Sequence, residues 1–415
     1  MNKTYKTGWY HTISRTQWKT LLAAQLGWML DAMDVMLYAF ALTAIRDEFQ
    51  LSSATAGALA SVTLLSSAFG GIFFGALADK IGRAKALVYS ILTYSVFTAL
   101  TATASGIAEL VLWRSLVGIG LGGEWSAGSV LVAETWPAAH RGKAIGLMQS
   151  GWAIGYILAA LLSAAILPEY GWRILFMLGI LPALLTFWIR KHVPEPAIWL
   201  ERKTGTQSQP SNLLGEIFRP PLLSKTLRAA LITTSVLFAY WGLFTWMPAF
   251  LSMPIEKGGA GMNIIKTSAW IIPMQIGAFF GYTLFGVLAD RFGRRPVFVI
   301  FLIAAAALVP LYGNFGRNDA VLLMLGPLIG FFGHGYFSVF GAMLAELFPT
   351  RLRGTAQGFT YNVGRAFSAI APYTIGALAD AWGIGSALGL TSVFFLLGAA
   401  LMFLLPETKG SQLEE

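Results

Sequence analysis

Glu134-Thr-Trp-Pro137-Ala-Ala-His-Arg141-Gly142 recurs about half the chain later as Glu346-Leu-Phe-Pro349-Thr-Arg-Leu-Arg353-Gly354. A second pair, Gly75-Ala-Leu77-Ala78-Asp79-Lys-Ile-Gly82-Arg83 and Gly286-Val-Leu288-Ala289-Asp290-Arg-Phe-Gly293-Arg294, repeats at almost the same offset, 211 residues against 212. Two matches in one register identify a tandem duplication. Long apolar runs surround every copy.

The 415 residues are 56% hydrophobic and 12% charged, about half the charge of an ordinary soluble protein, where roughly 25% is usual. Twelve stretches approach spanning length: 18–45, 54–78, 86–104, 108–133, 143–167, 172–190, 228–251, 267–289, 296–312, 320–345, 355–378 and 384–405. The pattern predicts an all-α membrane protein of twelve transmembrane helices in two pseudo-symmetric six-helix halves. The first half covers 1–190 and the second 226–415. Between them lies a polar segment, 191–225, with the flexible stretch Thr204-Gly-Thr-Gln-Ser-Gln-Pro210-Ser and expected short surface helices near 198–202 or 213–218. The first apolar run is too long for a cleaved signal and carries two aspartates.

The net charge of +9 does not point to nucleic acid. With alternating spans and a cytoplasmic N-terminus, 22 of the 29 Lys and Arg fall on the cytoplasmic side, 5 outside and 2 within spans. This positive-inside bias places both termini in the cytoplasm. The absence of cysteine excludes disulfides and thiolate metal sites. No catalytic constellation, phosphate loop or metal-ligand spacing is present, so neither enzymatic activity nor a cofactor is expected.

The two signatures carry a family resemblance. Gly-x-Leu-Ala-Asp-x-x-Gly-Arg after the second and eighth spans resembles the loop signature of the major facilitator superfamily. Glu-x-x-Pro-x-x-x-Arg-Gly after the fourth and tenth spans resembles its sugar-porter and metabolite:proton branches, as do Pro194-Glu195-Pro196 and Pro406-Glu407-Thr408-Lys409-Gly410. The resemblance implies the major facilitator fold, a monomer in the bacterial cytoplasmic membrane, and transport. It also implies a conformational latch of Asp79, Arg83, Glu134 and Arg141, repeated as Asp290, Arg294, Glu346 and Arg353. The alternative reading is topology-setting charge and helix capping alone. Gly376-Ala-Leu-Ala-Asp380 repeats five letters on the opposite side, a short match given no weight.

The intramembrane charges do not repeat. Asp31, Asp34, Arg114 and Glu124 lie in the first half, His334 and Arg365 in the second, and the repeat offset sets Thr245, Leu325 and Gly335 opposite Asp34, Arg114 and Glu124. Each such group costs about 2.5–3.5 kcal/mol at a helix centre, so six without compensation are too expensive to be incidental. At about 1.5 Å per residue in a core of about 30 Å, their heights permit one charged layer between the halves.

Asp31-Ala-Met-Asp34 resembles the first span of aromatic-acid:proton and sialic-acid:proton symporters. The run from Trp113-Arg114 through Gly118, Gly120, Gly122, Gly123, Glu124 and Trp125 looks like their fourth span, and Tyr361-Asn362-Val-Gly364-Arg365 matches carboxylate-transporting groups. Gly171-Trp172-Arg173 with Arg190-Lys191-His192-Val-Pro194-Glu195 resembles the sialic acid transporters, although the extra middle spans known there are absent. The expected partners are a small organic anion, protons and the lipid bilayer.

Arginine stays charged and fits a carboxylate bidentately, which makes Arg365 the first choice for the substrate carboxylate, while the resemblance to sugar porters implies Arg114 as the partner of Asp34. Burial favours a neutral carboxyl group and a nearby arginine favours the carboxylate. A carboxyl whose arginine comes and goes is therefore a proton switch, and Asp34, Asp31 and Glu124 are the candidates. Tyr38, Trp152, Tyr156, Tyr240, Trp241, Phe244, Tyr336, Tyr361, Asn362 and His334 are candidates for the cavity wall. Structural readings stay open for each: pairing for Asp34, helix packing for Glu124, a satisfied interior ring for His334. The glycines of span four are expected to admit close helix approach. The function classes left are a proton-coupled organic-anion symporter, a neutral-solute symporter, a drug exporter and a non-transporting membrane sensor.

Overall fold

The computed structural model describes residues 12–137, 140–197, 199–200, 213–314, 318–349 and 352–407. The first half runs α1 (Arg15–Glu48), α2 (Ser53–Ile81), α3 (Arg83–Thr101), α4 (Ile107–Thr135), α5 (Arg141–Met177) and α6 (Ala183–His192). A one-turn helix, Leu213–Glu216, follows. The second half runs α7 (Leu222–Phe244), α8 (Met247–Ser252), α9 (Ile264–Phe292), α10 (Arg294–Asn314), α11 (Asp319–His334), α12 (Phe337–Glu346), α13 (Arg353–Ser368), α14 (Ala371–Trp382) and α15 (Ile384–Met402). Helix α7 begins inside the polar segment, so residues 222–225 are helical rather than linker.

Helix starts follow ordinary capping chemistry. Ser14 and Gln17 form a reciprocal capping box on α1, and Ser52, Asn263 and Asn318 cap α2, α9 and α11. Among the described residues nine helical stretches are long and apolar enough to cross a membrane. One of them, Lys143–His192, bends at Gly171, where φ is 72°, and crosses twice. The pairs α11–α12 and α13–α14 each cross as two pieces. The result is the twelve crossings expected from sequence.

Both repeated Asp-x-x-Gly-Arg stretches make the same turn. Gly82 (φ 114°) separates α2 from α3, and Gly293 (φ 102°) separates α9 from α10. An L side chain there is strained, which accounts for the glycine. The Pro-Glu motifs dock on these turns. Glu195 accepts from the backbone N–H groups of Ala84 and Lys85 at 3.1 and 3.2 Å, and Glu407 from those of Arg294 and Arg295, both at 3.0 Å. Each carboxylate satisfies otherwise orphaned donors at a helix start.

Within the first half α4 is sunk against α2 and α3. A Cβ added at Gly118 or Gly122 would lie 2.2 Å from the Thr63 carbonyl oxygen or 1.9 Å from that of Ser67, and one at Gly120 would meet the Tyr94 nitrogen at 2.5 Å. In the second half Gly277 and Gly330 give α9 and α11 an equivalent approach. The seam between halves is formed by α2 against α13 and α14, and by α5 against α9.

Candidate functional site

Three crossings of the second half divide into two helices each, at Thr245–Trp246, Gly335–Tyr336 and Ala369–Ile370, with right-handed helical dihedrals kept across each division. A cavity lies between the halves, walled by Trp28, Asp31, Val35, Met36, Tyr38 and Ala39 of α1, Ala60, Thr63, Leu64 and Ser67 of α2, Arg114 and Leu121 of α4, Trp152 of α5, Trp241 and Thr245 at the end of α7, and Arg365 of α13. Asp31, Arg114, Arg365, Tyr38 and Trp152, nominated from sequence, therefore share one wall.

Arg114 is 1% exposed. Its Nε donates to Thr63 Oγ1 at 3.1 Å and its guanidinium lies 4.8 Å from the centre of the Tyr38 ring, while Nη1 has no partner. Arg365 lies 5.0 Å from the Tyr361 ring centre, and its Nε is likewise unpartnered. Tyr361 in turn stacks on Trp125 of α4 at 4.2 Å and 12°. This stack joins the halves below the cavity, at the end of the molecule that carries Asp79.

The carboxyl groups surround the arginines without closing on them. Asp31 and Glu124 lie within electrostatic reach of Arg365, and Asp34 within reach of Arg114. None of the three takes part in an ion pair among the described residues. The pairing of Asp34 with Arg114 implied by the resemblance is thus proximity, with Thr63 taking the arginine's hydrogen bond. Asp34 turns toward Gly179, where an added Cβ would lie 3.3 Å from Oδ1. Glu124 occupies a niche opposite Gly27, where a Cβ would lie 2.6 Å from Oε1, and neither of its oxygens has a hydrogen-bond partner.

His334, Tyr240 and Asn362 stand behind the wall. His334 is boxed by Tyr240, Phe244 and Tyr282, with Nδ1 3.2 Å from the Gly330 carbonyl oxygen and Nε2 without a partner. Asn362 donates to the Gly358 carbonyl and leaves Oδ1 unpartnered, close to Gly71 of α2. The remaining aromatics form a cluster: Trp152 lies 4.8 Å from Trp28, 5.8 Å from Trp241 and 6.5 Å from Tyr240. Trp28 was missed from sequence, yet it stands three residues before Asp31 on the same helix face.

The latch residues group as follows. Arg83 forks onto Glu134 through Nε and Nη2, both at 3.2 Å, and reaches Asp79 through Nη1 at 2.6 Å. Asp290 is exposed at the end of α9, and Arg294 opens α10. The side chains of Arg141, Glu346 and Arg353 lie outside the described residues. At the opposite end Asp380 of α14 accepts from the N–H groups of Ser53 and Ala54, so the short match set aside in sequence carries a cross-half contact. Glu48, the last residue of α1, is held by Trp172 and Arg173, which gives the Gly-Trp-Arg motif its work.

Residues 26–272 and 259–415 match the Major Facilitator Superfamily. The chain is 35% identical over 389 residues to a cis,cis-muconate transport protein of Acinetobacter baylyi, covering 92% of this chain and 91% of that one. It is 31% identical over 400 residues to a sialic acid transporter of Escherichia coli, covering 96% of each. Its fold is shared with the crystal structure of a D-xylose-proton symporter, with a TM-score of 0.76 at 20% identity over 96% of this chain and all of the other.

Proposed function

This chain belongs to the Major Facilitator Superfamily and is a multi-pass membrane transporter, not an enzyme, and on that premise we propose that it imports a small organic anion together with protons by alternating access. The observation that carries the proposal is that two guanidiniums, Arg114 and Arg365, and the carboxyl group of Asp31 line one cavity between the halves, with Asp34 and Glu124 buried nearby and no ion pair closed among the five. Buried charges left unpaired are costly, and an arriving carboxylate and proton would relieve that cost.

In this reading Arg365 binds the substrate carboxylate, with Arg114 beside it and Tyr361, Asn362, His334, Tyr38, Trp152 and Tyr240 shaping the site. Asp34, Asp31 and Glu124 carry the proton. The Asp79–Arg83–Glu134 cluster ties α2, α3 and α4 together at one end of the first half, and Arg141, Asp290, Arg294, Glu346 and Arg353 complete the latch between the halves. The positive-inside bias places the Asp79 end, both termini and the segment 191–225 in the cytoplasm of a bacterium, with the protein in its inner membrane. The halves 1–190 and 226–415 move against each other around the cavity.

Proteoliposomes with an imposed inward proton gradient test this. Accumulation of a carboxylate that collapses with the gradient, and is lost in Arg365→Gln, is the expected result. Gradient-driven hexose uptake that survives Arg365→Gln would transfer the proposal to a neutral solute.

A further inference from the structure

The cavity has a floor. On four helices the residue one turn from the wall, toward the Asp79 end, falls in a single layer. These are Gly27 below Asp31 on α1, Gly71 below Ser67 on α2, Trp125 below Leu121 on α4 and Tyr361 below Arg365 on α13. Two of the four are glycines, and a neighbour fills the space each leaves. A Cβ at Gly27 would lie 2.6 Å from Glu124 Oε1, and one at Gly71 would lie 2.6 Å from Asn362 Oδ1. The other two carry large rings, nearly buried, that stack at 4.2 Å and 12°.

The stack crosses the seam, because α4 belongs to the first half and α13 to the second. Parallel rings hold their contact in a narrow range of offsets, so tilting one half against the other breaks it. Tyr361 has a second neighbour on its own helix. The Arg365 guanidinium stands 5.0 Å from the centre of its ring, where the π face attracts a cation. Arg365 makes no ion pair among the described residues, and its Nε has no hydrogen-bond partner. The residue that steadies the floor is therefore also one that lines the cavity.

We propose that Trp125 and Tyr361 form the inner gate of the cavity, and that Arg365 links this gate to occupancy of the site. Trp125 is a positioning residue that acts through Tyr361 on Arg365. An anion on the guanidinium neutralises the cation that the ring attracts and draws it up into the cavity. The ring then keeps only the indole, and the stack parts as the halves tilt. After release the cation returns to the ring and shuts the floor, which resets the empty carrier outward. The trigger rests on the organic-anion reading above; the position of the gate does not.

The test is a thiol reporter. The chain has no cysteine, so Ser67→Cys places a sole thiol on the cavity wall, one turn above the floor. Its reaction with a membrane-impermeant methanethiosulfonate is timed in inverted and right-side-out vesicles, with no solute added. Trp125→Ala is expected to speed labelling about tenfold in inverted vesicles, which expose the Asp79 end, without raising the right-side-out rate. Trp125→Phe keeps a stacking ring and should stay within about twofold of the parent. Arg365→Gln should speed labelling about threefold, and should add nothing in the Trp125→Ala background, because both act through one stack. Melting temperatures of the variants separate an opened gate from a loosened fold. An unchanged rate in Trp125→Ala, or a rise from both faces, overturns the gate. A rise in Trp125→Ala with none in Arg365→Gln, or two effects that simply multiply, overturns the link to Arg365. These rates are independent of the uptake experiment: a neutral cargo found there would leave the gate standing and remove the anion as its trigger.

Discussion

The Asp380 carboxylate accepts hydrogen bonds from the N–H groups of Ser53 at 3.2 Å and Ala54 at 3.1 Å, the first two residues of α2. The acceptor comes from one half and the donors from the other. A carboxylate at a helix N-terminus is worth about 0.5–2 kcal/mol. Nearby, Thr43 and Ser252 make a second cross-half hydrogen bond at 3.3 Å, and Arg46 reaches Ser53 and Met253. The far end of the cavity is thus closed by hydrogen bonds, as the Asp79 end is joined by the Trp125–Tyr361 stack.

Asp380→Ala should shift the protein toward opening at that end. The chain has no cysteine, so a single Ser252→Cys reports without background. Maleimide labelling of that cysteine should quicken roughly threefold to tenfold, as expected for a loss of about 1 kcal/mol. An unchanged labelling rate would leave Asp380 with a capping role only.

Arg83 is nearly buried between Glu134 and the exposed Asp79. Removing the guanidinium takes from Glu134 its ion-pair partner among the described residues, so Arg83→Ala should destabilise by about 2 kcal/mol, between surface and buried ion-pair values. Asp79→Asn, which removes only the exposed partner, should cost under about 1 kcal/mol. Melting curves in one detergent compare the two directly.

Asp34→Asn should abolish gradient-driven accumulation while exchange of internal for external substrate continues, because the amide cannot carry the proton. The wild-type exchange rate should vary with pH through the same group, and the variant's should be flatter. Accumulation that persists in Asp34→Asn moves the proton to Asp31 or Glu124, which Asp31→Asn and Glu124→Gln distinguish.

Gly122→Ala places a methyl carbon 1.9 Å from the Ser67 carbonyl oxygen, so α2 and α4 must separate. A cost of about 1–3 kcal/mol is expected, as for other overpacked contacts. Gly75→Ala, in the repeated signature but with nothing within 4 Å of its Cβ, should be neutral or slightly stabilising. Thermal shift and yield of folded monomer measure both.

The sequence carried the fold because spanning runs, loop charge and the duplicated signatures are each visible residue by residue. The glycine of Asp-x-x-Gly-Arg and the glutamate of the Pro-Glu motifs could be found by pattern, but their meeting at one turn could not. Height arithmetic brought Arg114 level with Asp34. It did not predict that Thr63 would take the arginine's hydrogen bond, since side-chain direction on α4 is set by packing against α2. Trp28 was within reach of the argument, standing one turn from Asp31. The interruptions at Thr245–Trp246 and Ala369–Ile370 leave a weak trace in Pro248 and Pro372, which sit in the first turn of the helices that follow. Asp380 was visible as a repeated letter, but its partner across the seam was not.

Glu195 and Glu407 close each half onto itself. Each stands just beyond its half's final membrane crossing and fastens the chain there to the start of the third crossing, α3 in one half and α10 in the other. A bundle stitched from tail to middle in this way resists internal shear. In the alternating access proposed above, tilting therefore falls at the boundary between the halves, and each six-helix unit swings as a single lever without its own helices slipping past one another.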